Sequence, residues 1–560
     1  MKRTLKQLVA LGLGLVILAG CTAEKSREEK LSAMIGQMNS PFFMVNTNPQ
    51  NLMDKSGVMD GVLPFTYELI LSFFIDESVT GIDYGTDAQV VATKGSGFTP
   101  DVYVIFKIKK ETTFIELIEK EANADIQEKD GFKYAIKKSD NYTVVWNEEF
   151  AVLRNIPIDF TAMLTGKGGD QGMKAVNNSI EVIKAGNEGE VNAEFKAFLE
   201  RTDDIAMHFD GKGFFSFMEE MNRDQMDLEP MREIYEGMSV DVAMNFNDGE
   251  MIMAYESELV DKIKEKFSFI QEKGIDPALL NYGNGKAPIL VGSYNVQLDG
   301  MMDYIDQEMP EKTKAEMERE LEKMGLVWDD IANTLTGQFV YMIDGYVTKE
   351  KVYDYGYGET YTSKSQEPTF AIAAGLLKAD KLATVMTEAE QLPNGVLKMG
   401  DAYIYVMEDV FFASNDSAWA NRIAGGNGSK VNDMNNVLTS NPFGIYADFE
   451  AMSKLEDLND IAPFVNMMVS FHGSANLDGG EFTFTFKDQS KNALRILTEA
   501  IADGLNQMEQ LSNPGIEEEL ESALEDGLNE LEDGIGEGQE ELEEAVDQGL
   551  KELEESLKDL

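Results

Sequence analysis

The chain has 560 residues, with 101 acidic against 48 basic side chains and a formal net charge of −53. Such a surface repels phosphate backbones and anionic headgroups, which argues against nucleic acid as a partner and against membrane adhesion by basic residues. Hydrophobic residues at 43% permit full cores over two or more domains, and a single cysteine leaves no internal disulfide.

At the start, Lys2, Arg3 and Lys6 precede an apolar run from Leu8 to Ala19, the charged and hydrophobic regions of a secretory signal. The run falls short of the roughly 20 residues that a membrane-crossing helix needs. Leu18-Ala19-Gly20-Cys21 resembles the bacterial lipobox. The resemblance implies cleavage of residues 1–20 and lipid on Cys21, and more than one acyl chain anchors stably. Thr22 stands where an Asp would mark inner-membrane retention, which by resemblance favours the outer membrane. Glu24, Glu28 and Glu29 are interrupted by Lys25 and Arg27, so the periplasmic and surface faces both stay open. Residues 21–40 read as a polar tether.

From Pro41 onward two patterns alternate, four times each. The first is a short strand running through a polar residue into an apolar helix start: Phe43–Asn46 before Leu52, Ala206–Asp210 before Phe214, Gly292–Val296 before Met301, and Ile445–Asp448 before Met452. The second is an alternating strand feeding an amphipathic helix: Val102–Ile108, Met251–Tyr255, Thr369–Leu377 and Glu481–Phe486, followed by Phe114, Ile263, Leu382 and Leu494 in that order. A third element, a hairpin, appears twice, as Tyr142–Trp146 with Phe150–Val152 and as Tyr403–Met407 with Val410–Phe412. The pattern predicts an α+β body duplicated in tandem, with halves at 41–285 and 286–512. Each half is expected to be mostly antiparallel sheet covered by helices on one face.

Beyond Asn513-Pro514-Gly515 the composition changes. Leu520, Leu531, Leu542 and Leu553 recur every eleven residues, a period that draws a nearly straight apolar stripe along a helix. Gly527, Gly538 and Gly549 each cost such a helix about 1 kcal/mol relative to Ala. The acidic tail at 516–560 thus predicts either an amphipathic helix docked on the body or on a second tail, or a partly disordered arm. Its lack of a basic face argues against an interfacial membrane helix.

Chemistry-bearing motifs are sparse. His208 and His472 lie on or beside alternating strands with no nucleophile patterned near them, so both read as structural, and no catalytic residue or cofactor is assigned. The Gly-rich segments 166–169 and 425–430 lack the P-loop spacing and read as flexible loops. Asn295, Gln297, Asp299, Gly300 and Asp306 echo a calcium loop without its terminal Glu. Tyr353, Tyr355 and Tyr357 alternate, and Tyr361 follows closely. On a strand the first three share one face. They form either a hairpin with tyrosines packed across to a neighbouring strand or a binding platform for glycan or protein.

Taken with Leu18–Cys21, the early Phe43-Met44-Val45-Asn46 and Leu52-Met53-Asp54-Lys55 segments and the strand–helix units resemble the uncharacterised envelope lipoproteins of Bacteroidetes-type bacteria. That family has no established activity, so the resemblance implies location and architecture. The expected function is a lipid-anchored cell-envelope protein with a non-catalytic binding or scaffolding role and an envelope protein or glycan partner. Two alternatives are an envelope hydrolase using paired carboxylates and a calcium-dependent structural protein.

Overall fold

A computed structural model describes residues 25–60, 76–95, 99–120, 124–137, 141–156, 170–222, 228–308, 311–323, 327, 331–354, 360–379, 382, 386, 389–431, 435–453 and 462–512. The signal segment 1–20, Cys21, the loop 166–169 and the acidic tail 516–560 lie outside these residues. The chain divides into a compact unit through Thr498 and a second from Glu499. Of the second, the described residues 499–512 are helical.

The expected tether at 21–40 is corrected by the first element, a helix at Arg27–Gln37. The Ser26 hydroxyl accepts the Glu29 N–H at 3.2 Å while the Glu29 carboxylate accepts the Ser26 N–H at 3.1 Å, a reciprocal cap that satisfies two otherwise orphaned donors. Leu31, Met34 and Ile35 on this helix are fully buried, at the i, i+3, i+4 spacing of a core-facing stripe. They pack against the helix Gln171–Glu188, where Gly186 lets Met34 approach the backbone: a Cβ there would meet Met34 Cγ at 3.2 Å.

Strands at Pro41–Thr47 and Asp101–Phe106 follow the period-2 alternation read from the sequence. The first series is β1 (Pro41–Thr47), β2 (Ala88–Thr93), β3 (Asp101–Phe106), β4 (Gln127–Lys129), β5 (Phe132–Lys137), β6 (Tyr142–Trp146), β7 (Ala151–Asn155), β8 (Ile205–Asp210), β9 (Met238–Asn247) and β10 (Glu250–Leu259). The second is β11 (Leu290–Asn295), β12 (Leu335–Asp354), β13 (Thr360–Leu376), β14 (Glu390–Gln391), β15 (Leu397–Met399), β16 (Ala402–Val406), β17 (Val410–Ser414), β18 (Phe443–Asp448), β19 (Met468–Ala475) and β20 (Gly479–Phe486). In β1 and β2 alternate residues are buried, so one face of the sheet meets the core and the other stays partly open.

All described pairings are antiparallel, which agrees with the expected α+β class. The first series is ordered β4-β5-β6-β7-β3-β2-β1-β8-β9-β10. The second is ordered β14-β15-β16-β17-β13-β12-β11-β18-β19-β20. Both expected hairpins form, as β6–β7 and β16–β17. The two series join where β10 pairs β20, with Ala254 opposite Glu481. The strands on either side of the expected boundary at 285 therefore belong to one continuous sheet.

Each series carries its own core. In the first, Val91, Ile105, Val145 and Val152 from the sheet meet Leu31, Met34, Val176 and Ile180 from the helices. In the second, Val291, Val340 and Phe412 meet Leu280, Trp419 and Leu438. Trp146 and Trp419 are fully buried. Their indole N–H groups donate to Glu111 Oε1 at 3.2 Å and to the Tyr282 carbonyl at 2.9 Å, as buried indoles require.

Candidate functional site

A cavity of about 860 Å³ opens beside the junction of the two series. Its walls come from four distant stretches: the segment after β10, the end of β11, the start of β12 and the β19–β20 turn. The segment after β10 is held by an isolated bridge between Ile270 and Val296. The Gln297 N–H donates to the Phe269 carbonyl at 2.6 Å, and the Asn295 side-chain amide donates to the carbonyls of Lys273 and Gly274 at 2.8 and 3.0 Å. Gly274 is required by close approach, since a Cβ would stand 2.2 Å from the Thr439 carbonyl oxygen.

The lining is rich in carboxamides: Gln271, Asn295, Gln297, Gln338 and Asn476. Two are anchored through oxygen. Gln338 Oε1 accepts the Asp276 N–H at 2.6 Å, and Asn476 Oδ1 accepts the N–H groups of Asp478 and Gly479 at 2.9 and 3.0 Å. The side chains of Gln271 and Gln297 have no hydrogen-bond partner among the described residues. At the rim, Lys264 Nζ donates to Asp478 Oδ1 at 2.6 Å, and that carboxylate holds the ammonium above its usual range. Each free carboxamide offers donors and an acceptor without net charge. This chemistry suits a neutral ligand rich in hydroxyls or amides.

The tyrosine segment falls on a hairpin. The β12–β13 ladder continues past Gly345 to Asp354 opposite Thr360, with Tyr353 opposite Tyr361. Tyr355 and Tyr357 lie outside the described residues. The corresponding connection of the first series, between β2 and β3, runs only from Lys94 to Pro100.

Neither histidine meets a nucleophile among the described residues. His208 is buried on β8, its Nδ1 2.7 Å from Asp241 Oδ1 and its ring against Phe195 and Phe198. His472 stands on β19 between Tyr446 and Thr483. The calcium-loop echo is split: Asn295 ends β11 and bonds backbone carbonyls, while Asp299, Gly300 and Asp306 lie in the helix Leu298–Glu308. Among the described residues no group of three His, Cys, Asp or Glu side chains is placed to hold a metal, and no helix is long and apolar enough to cross a membrane.

The carboxamide cleft escaped sequence reading because its residues are contributed by stretches more than two hundred positions apart, with no spacing motif. No protein-family model matches the chain, and no curated protein does. Two solved crystal forms of TP0453 overlap it. Form IV has 9% identity and a TM-score of 0.25 over 40% of this chain and 79% of that one. Form I has 8% identity and a TM-score of 0.22 over 42% and 80%. Overlaps this slight carry no argument about fold or role.

Proposed function

We propose that the chain is a lipid-anchored envelope protein, held at the outer membrane through lipid on Cys21, whose body binds a polar envelope partner without catalysis. The observation that carries the binding role is the carboxamide cleft, in which Gln271 and Gln297 present unpaired amides to an opening of about 860 Å³. A glycan or an extended peptide offers the matching hydroxyl or amide groups. The anchor rests on Leu18-Ala19-Gly20-Cys21.

The body is further read as a tandem duplication. Two series in the same strand order support it, and so does a shared detail. Asn155, the last residue of β7, bonds the Pro100 carbonyl and the Val102 N–H; Asn415, just after β17, bonds the Pro368 carbonyl and the Phe370 N–H.

Calorimetric titration of the signal-free body with envelope-derived oligosaccharides and with short peptides tests the cleft. Saturable binding of one class, weakened at least tenfold in Gln271→Ala and Gln297→Ala, supports the reading. Binding of neither class, or turnover of the bound ligand, overturns it. For the anchor, Cys21→Ser is expected to move the full chain from the detergent phase to the aqueous phase.

A further inference from the structure

A second cavity, of about 510 Å³, lies wholly within the first series, over β3 and β7 and under the helix Gln171–Glu188. Its lining includes an ion pair that is almost entirely buried. Arg154 on β7, 3% exposed, donates from Nη2 to Asp101 Oδ2 on β3 at 2.5 Å, and its guanidinium stacks 4.8 Å over the Tyr103 ring. The pair is only partly satisfied. Arg154 Nε and Asp101 Oδ1 are both buried with no hydrogen-bond partner, and the Tyr103 hydroxyl has none among the described residues.

The matching ladder positions of the second series carry no such pair. On the β13–β17 ladder of the second series, Ala371 faces Ser414 as Tyr103 faces Arg154 on β3–β7. Thus Ser414 stands in the place of Arg154 and Thr369 in the place of Asp101. Ser414 simply donates to the Phe370 carbonyl at 2.7 Å. Buried ion pairs are weak contributors to stability, and uncharged replacements commonly serve as well. What singles the pair out is its place in the wall of a cavity with two of its buried polar atoms unpartnered.

The charges around the opening favour an anion. Lys94 and Lys174 line it with Arg154. Lys174 has no ion pair among the described residues, and Lys94 makes a long one, with Glu220 at 3.9 Å. Of the lining acids, Asp101 is taken by Arg154, and Glu181 bonds Lys184 at 3.2 Å. Burial pushes the Tyr103 phenol up to about 12, so it remains a neutral donor. On a chain of net charge −53, a concave surface lined by Lys94, Lys174 and Arg154 against Asp101 and Glu181 carries a local excess of positive charge.

We propose that this cavity is a binding site for a small oxyanion, a carboxylate or a phosphate, with Lys94 and Lys174 as its charged contacts and Arg154 and Tyr103 as the donors beneath. Guanidinium and ammonium donors suit either anion.

The test is a thermal-shift and calorimetric titration of the signal-free chain with inorganic phosphate and, separately, with citrate, at constant ionic strength. A saturable rise in Tm with either anion is expected, and the anion that gives it identifies the class. Lys94→Gln/Lys174→Gln, which alters only exposed or half-exposed side chains, should fold with an unchanged Tm and bind at least tenfold more weakly. Asp101→Thr/Arg154→Ser, which copies the second series, should also fold and lose binding. No saturable shift with either anion, or binding undiminished in both double variants, overturns the proposal.

Discussion

Asn155 grips Pro100 across the start of the β3–β7 ladder: its Nδ2 donates to the Pro100 carbonyl at 3.0 Å while its Oδ1 accepts the Val102 N–H at 2.7 Å. One carboxamide thereby satisfies a donor and an acceptor that the ladder leaves unpaired as the chain enters β3. Asn415 does the same for Pro368 and Phe370, at 2.7 and 2.9 Å. Replacing either by Ala strands both backbone groups, so Asn155→Ala and Asn415→Ala should each cost about 1–3 kcal/mol, read as a lowered urea midpoint. Equal losses are the expectation of equivalent clamps. A loss in one variant only would count against equivalence.

Asp204 is the second structural focus. It is 4% exposed and accepts from Lys55 Nζ, Asn51 Nδ2 and the Phe246 N–H, each at 2.6 Å, so one carboxylate ties the helix Pro49–Ser56 to β9. Asp204→Ala leaves three donors without their partner and should cost about 3 kcal/mol, the low end for breaking a buried pair, because Lys55 keeps some access to water. Asp204→Asn retains an acceptor and should lose less. Chemical denaturation of the three proteins checks the order.

These two contacts mark what sequence alone could and could not disclose. The strands β1, β3, β8, β11 and β18 were legible because apolar residues alternate at a period of 2 and a helix start follows a few residues on. The pairing of β10 with β20 was not, because register between strands more than two hundred residues apart leaves no local signal. The helix Arg27–Gln37 was misread as tether because Arg27, Glu28, Glu29 and Lys30 hide the stripe of Leu31, Met34 and Ile35. Its signal was present: Ser26 followed by Glu29 is a capping box. The Arg154–Asp101 pair could not be found from spacing, since the two residues meet only when β3 and β7 align.

Asp344, buried on β12, gives a pH-dependent expectation. Burial raises its carboxyl above the ordinary value, against the opposing hydrogen bond from Asn284 Nδ2 to its Oδ2 at 2.7 Å. The folded state therefore holds the proton more tightly than the unfolded chain. Below the unfolded value, near 4, both states are protonated and there is no penalty. As pH rises through the raised folded value, ionised Asp344 destabilises the fold. Asp344→Asn keeps an acceptor for Asn284 and removes the charge, so its Tm should exceed that of the parent at pH 7 and match it below about pH 4. A gain that persists unchanged at low pH would assign the effect to packing instead.

The β12–β13 arm separates a structural from a recognition role for the tyrosines. Its ladder extends from Gly345 to Asp354 and back from Thr360 to Pro368, whereas β2 and β3 are joined by Lys94–Pro100 alone. Strands that pair stably in the first series without an arm should do so in the second. Replacing residues 346–367 with a short turn should therefore leave Tm within experimental error, because Val340, Met342, Ala371 and Ala373, which bury β12 and β13 in the core, all lie outside the excised segment. If the tyrosines recognise a partner, Tyr353→Ser/Tyr361→Ser in the full arm should lose that partner in a pull-down from the native envelope while keeping the parent Tm. A fall in Tm on excision would instead assign the arm to the body's stability. Retained capture by the excised chain would place recognition elsewhere, with the carboxamide cleft around Gln271 and Gln297 the next surface to alter.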